Sequence, residues 1–359
     1  MTMSTSTPLR RIRVCYFDQW TDALEPAGDF LARAVGMDVR RRLANPGDGE
    51  LLRKARLDCD WYTENARCFA ALSHPELEFL PAYVGGAAGL LEFAKLPRQP
   101  GEERWLITMG HQPQLLGAMA GRIFGLLSKV GVRHLLYAFD EASRYMPGFG
   151  DVAPYLDVLI HDEAPLDFRG AALLRAGCRR IHRSWVANVL PFAAPFQEEP
   201  EKKVLFLGSK LGLTDNRLRQ FEFLSEHLKD RFVPSHDHSV SVADRLRLNR
   251  YKVGLAPEGR KFGTPAMSRT HTDRPFWLGC LGAVPVSENS AAGDRLNELA
   301  DAGLIVRYPH QDLKGLLRAC EQALEVSEAD RRRIYLHFNE HETVGAVVAQ
   351  AIAGFLGVR

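Results

Sequence analysis

"HTDRPFWLGCLGAVPV", residues 271–286, sets a Thr-Asp-Arg cluster at the mouth of an apolar, glycine-punctuated run. Asp273 is a helix-capping residue type, Pro275 fits a first helical turn where its missing N–H costs nothing, and Gly282 suits a helix end. A short helix is therefore expected from about Arg274 to Leu281, followed by a buried strand in "GAVPVSE", residues 282–288. The preceding stretch completes the unit: "RYKVGLAP", residues 250–257, reads as a strand, and "EGRKFGTPAMSRTHT", residues 258–272, as a glycine-containing basic loop. Strand, loop, helix and strand in that order are the repeating unit of a parallel α/β sheet.

The same rhythm runs through the whole chain. Strands are expected at "IRVCYF" (12–17), "RWLITM" (104–109), "RHLLYAF" (133–139) and "LDVLIH" (156–161), then at "KVLFLGS" (203–209) and "GLIVRY" (303–308). Helical spacing separates them in "GAMAGRIFGLLSKVG", closed by Gly131, in "NRLRQFEFLSEHLKD" and in "DLKGLLRACEQALEV". At 359 residues the chain exceeds the size at which one core stops growing, roughly 250–300 residues. Both periodicities break in "SWVANVLPFAAPFQEEPEKKVLF", where three prolines and paired charges mark a linker. The expected architecture is α/β: two Rossmann-like, doubly wound domains facing across a cleft, residues 1–190 and 191–359, with the last helix able to pack back on the first domain. In such sheets ligands bind beyond the carboxyl ends of the strands, so the loops after each apolar run hold the informative residues.

Composition narrows the function classes. Apolar residues make up 46% and charged residues 25% of the chain, with a formal charge of +2, so nothing at the whole-molecule level calls for nucleic acid. The arginine runs at Arg40 to Arg42 and Arg331 to Arg333 read as solvated helix faces. No apolar stretch is long enough for a transmembrane segment, and the amino terminus has no secretory apolar core. A cytoplasmic location is expected, with peripheral membrane contact left open. Six scattered cysteines show no metal-ligand spacing and read as buried reduced thiols. "DCD" at Asp58 to Asp60 lies in an arginine-rich helical stretch, and "HDH" at His236 to His238 has no third partner at a recognisable spacing, so no metal site is expected. "GGAAG" at Gly85 to Gly89 has the wrong spacing for a dinucleotide loop and an unconvincing strand before it.

The basic loop is the best candidate binding element. Glu258, Arg260, Lys261, Arg269, His271 and Arg274 crowd one connection. Arg274 offers a planar fork for two phosphate oxygens, Lys261 offers a movable point charge, and a helix start offers unpaired amides. The competing reading is that Arg274 only pairs with Asp273 or another surface acid.

The stretch "KVGLAPEGRKFGTPAMSRTHTDRPFWLGCLGAVPV" resembles the donor-binding segment of GT-B glycosyltransferases, especially the exostosin-type and CgeB-type groups. "LPFAAPF" followed by "KKVLFLGS" is similar to the interdomain passage of that fold, and the resemblance covers roughly residues 185–310. It implies a metal-independent transferase that takes a nucleoside-diphosphate sugar as co-substrate, with no further cofactor, and passes the sugar to an unidentified acceptor. It also implies diphosphate contacts from Arg274 and Lys261, a donor site shared with His271, Thr272 and Asp273, and a cleft lined by Ser209 and Lys210. The family usually carries a ribose-binding glutamate three residues after the arginine; here Trp277 stands there, leaving Glu288 or Glu258 for that role.

For a base acting on the acceptor, His111 in "ITMGHQPQ" follows a first-half strand and suits the task by its titration range; capping the next helix is the competing role. Asp140, beside Glu141, and then Asp18 are the next candidates, with Trp20, Tyr137 and Tyr145 available to stack on a sugar or else to pack the core. Two further readings stay open: a fucosyltransferase-like enzyme that uses a GDP-sugar, suggested by "LAPEG", and a non-catalytic nucleotide-sugar or carbohydrate-binding protein.

Overall fold

The computed structural model describes residues 9–17, 72–85, 87–109, 119–138, 149–161, 173–184, 192, 194–207, 215–235, 247–257, 274–289 and 294–358. Twelve strands in these residues form two parallel sheets. The first sheet contains β1 (Arg10–Phe17), β2 (Leu77–Phe79), β3 (Tyr83–Gly85), β4 (Glu102–Met109), β5 (Val132–Ala138), β6 (Leu156–His161) and β7 (Arg180–Ser184). Its order is β2-β1-β4-β5-β6-β7, with β3 pairing β1 beyond the end of β2. The second sheet contains β8 (Glu201–Leu207), β9 (Phe232–Ser235), β10 (Tyr251–Ala256), β11 (Val284–Glu288) and β12 (Val306–Tyr308), in the order β12-β11-β10-β8-β9.

Alternation along the strands decides how the first sheet is covered. Cys15, Phe17, Leu106 and Leu136 face one core with Phe93 of helix α1 (Ala87–Lys95) and Phe124 of α2 (Ala120–Lys129). Ile12, Val14, Tyr16, Trp105, Ile107, Leu135 and Tyr137 face the opposite core, which the far end of the chain supplies.

The second domain adds α3 (Asp215–Leu228), α4 (Arg274–Cys280), α5 (Asp294–Asp301), α6 (Leu313–Leu324), α7 (Glu328–His341) and α8 (Val344–Leu356). Helix α8, "VGAVVAQAIAGFL", is apolar nearly all round and therefore requires burial on most of its circumference. It packs on the first sheet, stacking Phe355 on Trp105 at 6.2 Å. Arg180 lies 4.7 Å over the Phe355 ring and donates to its carbonyl, while Arg10 donates to the Leu356 carbonyl at 3.1 Å, so cations satisfy the helix's last acceptors.

Strands β10 and β11 are buried along their whole length, which accounts for their continuous apolar runs. Helix α4 is wedged between β10 and α7. A Cβ on Gly254 of β10 would lie 2.5 Å from Leu278, and one on Gly279 of α4 would lie 2.4 Å from Phe338 of α7. The helix ends as its sequence implies: Gly282 has φ +80°, its N–H donates to Gly279, and the Ala283 N–H donates to Leu278.

The linker is bolted to α7. Asn339 accepts from the Phe192 N–H at 2.6 Å and donates to the Cys280 carbonyl, Tyr335 donates to the Ala194 carbonyl at 2.7 Å, and Arg331 stacks over Phe196 at 4.2 Å. Of the arginine run, Arg332 and Arg333 are exposed as expected, whereas Arg331 departs from the solvated face. Arg331 is fully buried and donates to the Gly282 carbonyl at 2.6 Å. Arg332 pairs with Glu198 of the linker, and Arg333 donates to the Ala302 carbonyl at 2.9 Å at the end of α5. Backbone carbonyls left over at turns and helix ends recruit Arg331 and Arg333, a demand that a charge pattern does not reveal.

Several boundaries also differ from the sequence reading. Strands β2, β3, β7 and β9 were not expected: they are three to five residues long, too short for an alternation to stand out. Strand β3 is the strand in front of "GGAAG" that sequence pattern alone did not support; it holds by extending the edge of β1 through Cys15, Tyr16 and Phe17.

Two consequences are measurable. Gly279→Ala puts a methyl against Phe338 and should lower unfolding free energy by about 1–3 kcal/mol in denaturant titrations. His134, on β5, is 1% exposed and lies 4.6 Å from the Phe124 ring. Burial pushes its imidazole down from 6.5 to about 3. The unfolded chain then binds a proton that the folded chain refuses, so stability present above pH 6.5 drains as pH falls towards 3, by about 1.4 kcal/mol per pH unit. His134→Leu should flatten that part of the stability profile.

Candidate functional site

Each sheet has one place where the chain reverses its direction of growth. In the second sheet β8 is followed outward by β9, and the chain then crosses back so that β10 pairs with β8 on its other side. The carboxyl ends of β8 and β10 flank that switch, the standard position for a ligand in a doubly wound sheet. In the first sheet the equivalent neighbours are β1 and β4.

Arg274 sits at the second-sheet switch. It opens α4, the helix wedged against β10, and its guanidinium lies 5.0 Å over the ring of Phe206 on β8. The side chain thus spans from the helix after β10 to the neighbouring strand. Phe206 is fully buried, so the guanidinium rests on a fixed aromatic surface. Trp277, one turn further on, is half-buried and packs against Ala256, Leu278 and Ala283 as well as the main core. It occupies the turn as a packing residue.

Glu288 closes β11, and its side chain is 0% exposed. Oε1 accepts from the Gln311 N–H at 3.0 Å and from Asn216 at 3.3 Å and lies 2.9 Å from Nδ1 of His310; Oε2 accepts from Gln220 at 3.3 Å. The carboxylate ties the first turns of α3 to the turn between β12 and α6. Its own carbonyl accepts from Arg307 at 3.0 Å. Next to it Tyr308 donates to Gln220 at 3.3 Å, and burial pushes its hydroxyl well above the ordinary value, keeping it neutral.

A second buried carboxylate, Glu342, lies between α7 and α8. It accepts from Arg295 at the start of α5 and from His337 at 3.1 Å. Arg295 also donates to Glu298 at 2.8 Å, so one arginine joins the helix after β11 to the turn that returns the chain to the first domain.

Of the residues singled out in the sequence, Arg274, Glu288, Trp277 and Tyr137 lie among the described ones. Ser209, Lys210, Glu258, Lys261, His271, Thr272 and Asp273, and on the acceptor side Asp18, His111, Asp140 and Glu141, lie outside them. So do Trp20, Tyr145, "DCD" and "HDH". Tyr137 is fully buried in the core beneath α8. Among the described residues no group of three or more His, Cys, Asp or Glu side chains could hold a metal ion, and Cys15, Cys178, Cys280 and Cys320 are buried free thiols. No helix among them is long and apolar enough to cross a membrane. The sequence reading missed His310, Asn216, Gln220, Arg295 and Glu342. His310 was within reach, because it follows the "GLIVRY" strand; the others are brought in by tertiary contacts that spacing does not encode.

No family model matches the chain, and no curated protein does. Among solved structures, an α,α-trehalose-phosphate synthase (UDP-forming) from Burkholderia vietnamiensis is 11% identical, with 97% of this chain and 99% of that one covered and a TM-score of 0.42. A sucrose-phosphate synthase from Thermosynechococcus elongatus is 14% identical over 97% and 98%, with a TM-score of 0.38. The spinosyn rhamnosyltransferase SpnG, complexed with thymidine diphosphate, is 12% identical over 95% and 99%, with a TM-score of 0.35. Likeness at this level carries no argument about substrate or residues. The two doubly wound parallel sheets, with a last helix returning to the first domain, form a GT-B architecture.

The donors around Glu288 make its removal costly. Glu288→Ala should destabilise the protein by about 2–4 kcal/mol in urea unfolding, because buried donors lose their acceptor.

Proposed function

We propose that the chain is a glycosyltransferase that moves a sugar from a nucleoside-diphosphate sugar to an acceptor, with the donor held in the second domain. The observation that carries this reading is Arg274: an arginine fixed over Phe206 where the ends of β8 and β10 flank the switch. A guanidinium held there can give two parallel hydrogen bonds to a diphosphate and stabilise the charge that builds on it as the glycosidic bond breaks. The resemblance of residues 252–286 to exostosin-type and CgeB-type donor segments supports the same assignment.

In this reading Lys261, with His271, Thr272 and Asp273, completes the phosphate end from the loop that ends at Arg274, and Ser209 and Lys210 approach from the end of β8. Glu258 is the candidate for the ribose hydroxyls, since the Glu288 carboxylate is enclosed. The acceptor's base comes from the first domain: His111 follows β4 and Asp18 follows β1, the two strands that flank that sheet's switch, while Asp140 follows the neighbouring β5. Charge stabilisation by side chains in place of a metal is part of the proposal, as is a cytoplasmic site of action.

Arg274→Ala should weaken nucleoside-diphosphate binding by about 1.5–3 kcal/mol in calorimetry, the size of charged hydrogen bonds; unchanged affinity would remove the assignment. His111→Ala should leave that affinity intact and slow sugar transfer at least a hundredfold, the usual contribution of a general base being about 10²–10⁴. Full activity in that variant would exclude His111 as the base.

A further inference from the structure

Helices α1 and α2 cover the same face of the first sheet, anchored in one core through Leu90 and Phe93 and through Phe124 and Leu127. Contacts with neighbours show which way each helix is turned. Glu92 of α1 accepts from Tyr83 of the edge strand β3 at 2.6 Å, and the Phe93 ring lies 6.1 Å from that of Tyr83. On α2, a Cβ added to Gly121 would lie 3.1 Å from Asp151, and one added to Gly125 would lie 3.1 Å from Tyr155. That flank of α2 therefore meets residues 149–155, which lead into β6. The opposite flanks of the two helices turn towards each other, with Leu91 and Lys95 on α1 and Leu126 and Val130 on α2.

These facing apolar side chains do not close on one another. Leu91 is 52% exposed, Leu126 61% and Val130 51%, which leaves an open recess between the helices. Helices of nine and ten residues give it a length of about 14 Å. Arg98, in the turn after α1, donates to the Val130 carbonyl and closes one end. The rim is basic: Lys95 is exposed on α1, and Arg122 and Lys129 are exposed on the side of α2 opposite its buried Phe124 and Leu127. Glu92 and Asp151 lie on the far flanks, turned away from the recess.

We infer that the recess between α1 and α2 docks an acidic amphipathic helix of a partner protein. Leucines inside the recess and cations on its rim match the apolar stripe and the flanking carboxylates of such a helix. The recess accommodates about three turns of it. A flat bilayer surface meets the outermost Arg122 and Lys129 first and leaves the leucines on the inward flanks out of reach. A second copy of this chain, laid face to face, would set the same cations against each other.

The test is fluorescence anisotropy of two labelled peptides with the full chain. One peptide carries leucine and glutamate at helical spacing over about three turns; the other has lysine in place of every glutamate. The acidic peptide should bind saturably and the basic one should not. Leu126→Gln should weaken that binding by about fivefold or more, through the loss of an apolar contact. Arg122→Glu combined with Lys129→Glu should weaken it by about tenfold or more, by setting like charges against the peptide. All three side chains are exposed, so the variants should keep the wild-type circular dichroism and unfolding midpoint. No saturable binding, equal binding of the basic peptide, or an affinity untouched by Leu126→Gln overturns the inference. So does binding to phosphatidylglycerol vesicles in place of the acidic peptide, which would make the basic rim a lipid-facing surface.

Discussion

The close approach of α4 to its two neighbours governs the second domain. Gly254 lets the helix settle on β10, and Gly279 lets the ring of Phe338 settle on the helix; a methyl at either position would have no room. That contact fixes the direction in which α4 leaves the loop after β10, and so where Arg274 comes to rest over Phe206. It also seats α7, on which the linker is bolted through Asn339, Tyr335 and Arg331. Because α7 leads directly into α8, one tightly packed helix pair holds Arg274 and both of the chain's passages between domains.

Buried charge is handled consistently throughout. Glu288, Glu342 and Arg331 each lie out of solvent, and each is met by several partners from different elements. Such groups contribute less to stability than to register, because a displaced element would leave an uncompensated charge or polar group behind. At Glu288 this logic ties Asn216 and Gln220 of α3 to the turn after β12, where Gln311 has φ +60°. At Glu342 it joins the helix after β11 to the interdomain turn.

The parallel fold was legible because buried strands such as "KVGLA" and "AVPVS" announce themselves by composition, and because α8 is too apolar to face water. The helix from Arg274 was legible from Asp273, Pro275 and Gly282, and its observed end at a left-handed Gly282 follows the same chemistry. The edge strands β2, β3, β7 and β9 were not legible, since three to five residues carry little period, whereas β12, equally short, was legible as the end of the apolar run "GLIVRY". The burial of Arg331 was not legible either: its neighbours Arg332 and Arg333 are exposed, and the Gly282 carbonyl and the Phe196 ring, far away in sequence, meet the first of the three alongside Glu328. On the site, the strand-end rule pointed to Arg274 and Glu288. It did not disclose that Glu288 faces inward, because that depends on α3 reaching across β10.

The central claim is that a nucleoside diphosphate occupies the second domain's switch point. A crystal structure of the protein grown with its preferred nucleoside diphosphate tests it directly. The account predicts phosphate density beyond the carboxyl ends of β8 and β10, within hydrogen-bonding distance of Arg274. Density at the β1 and β4 ends of the first sheet, with Arg274 untouched, would contradict it.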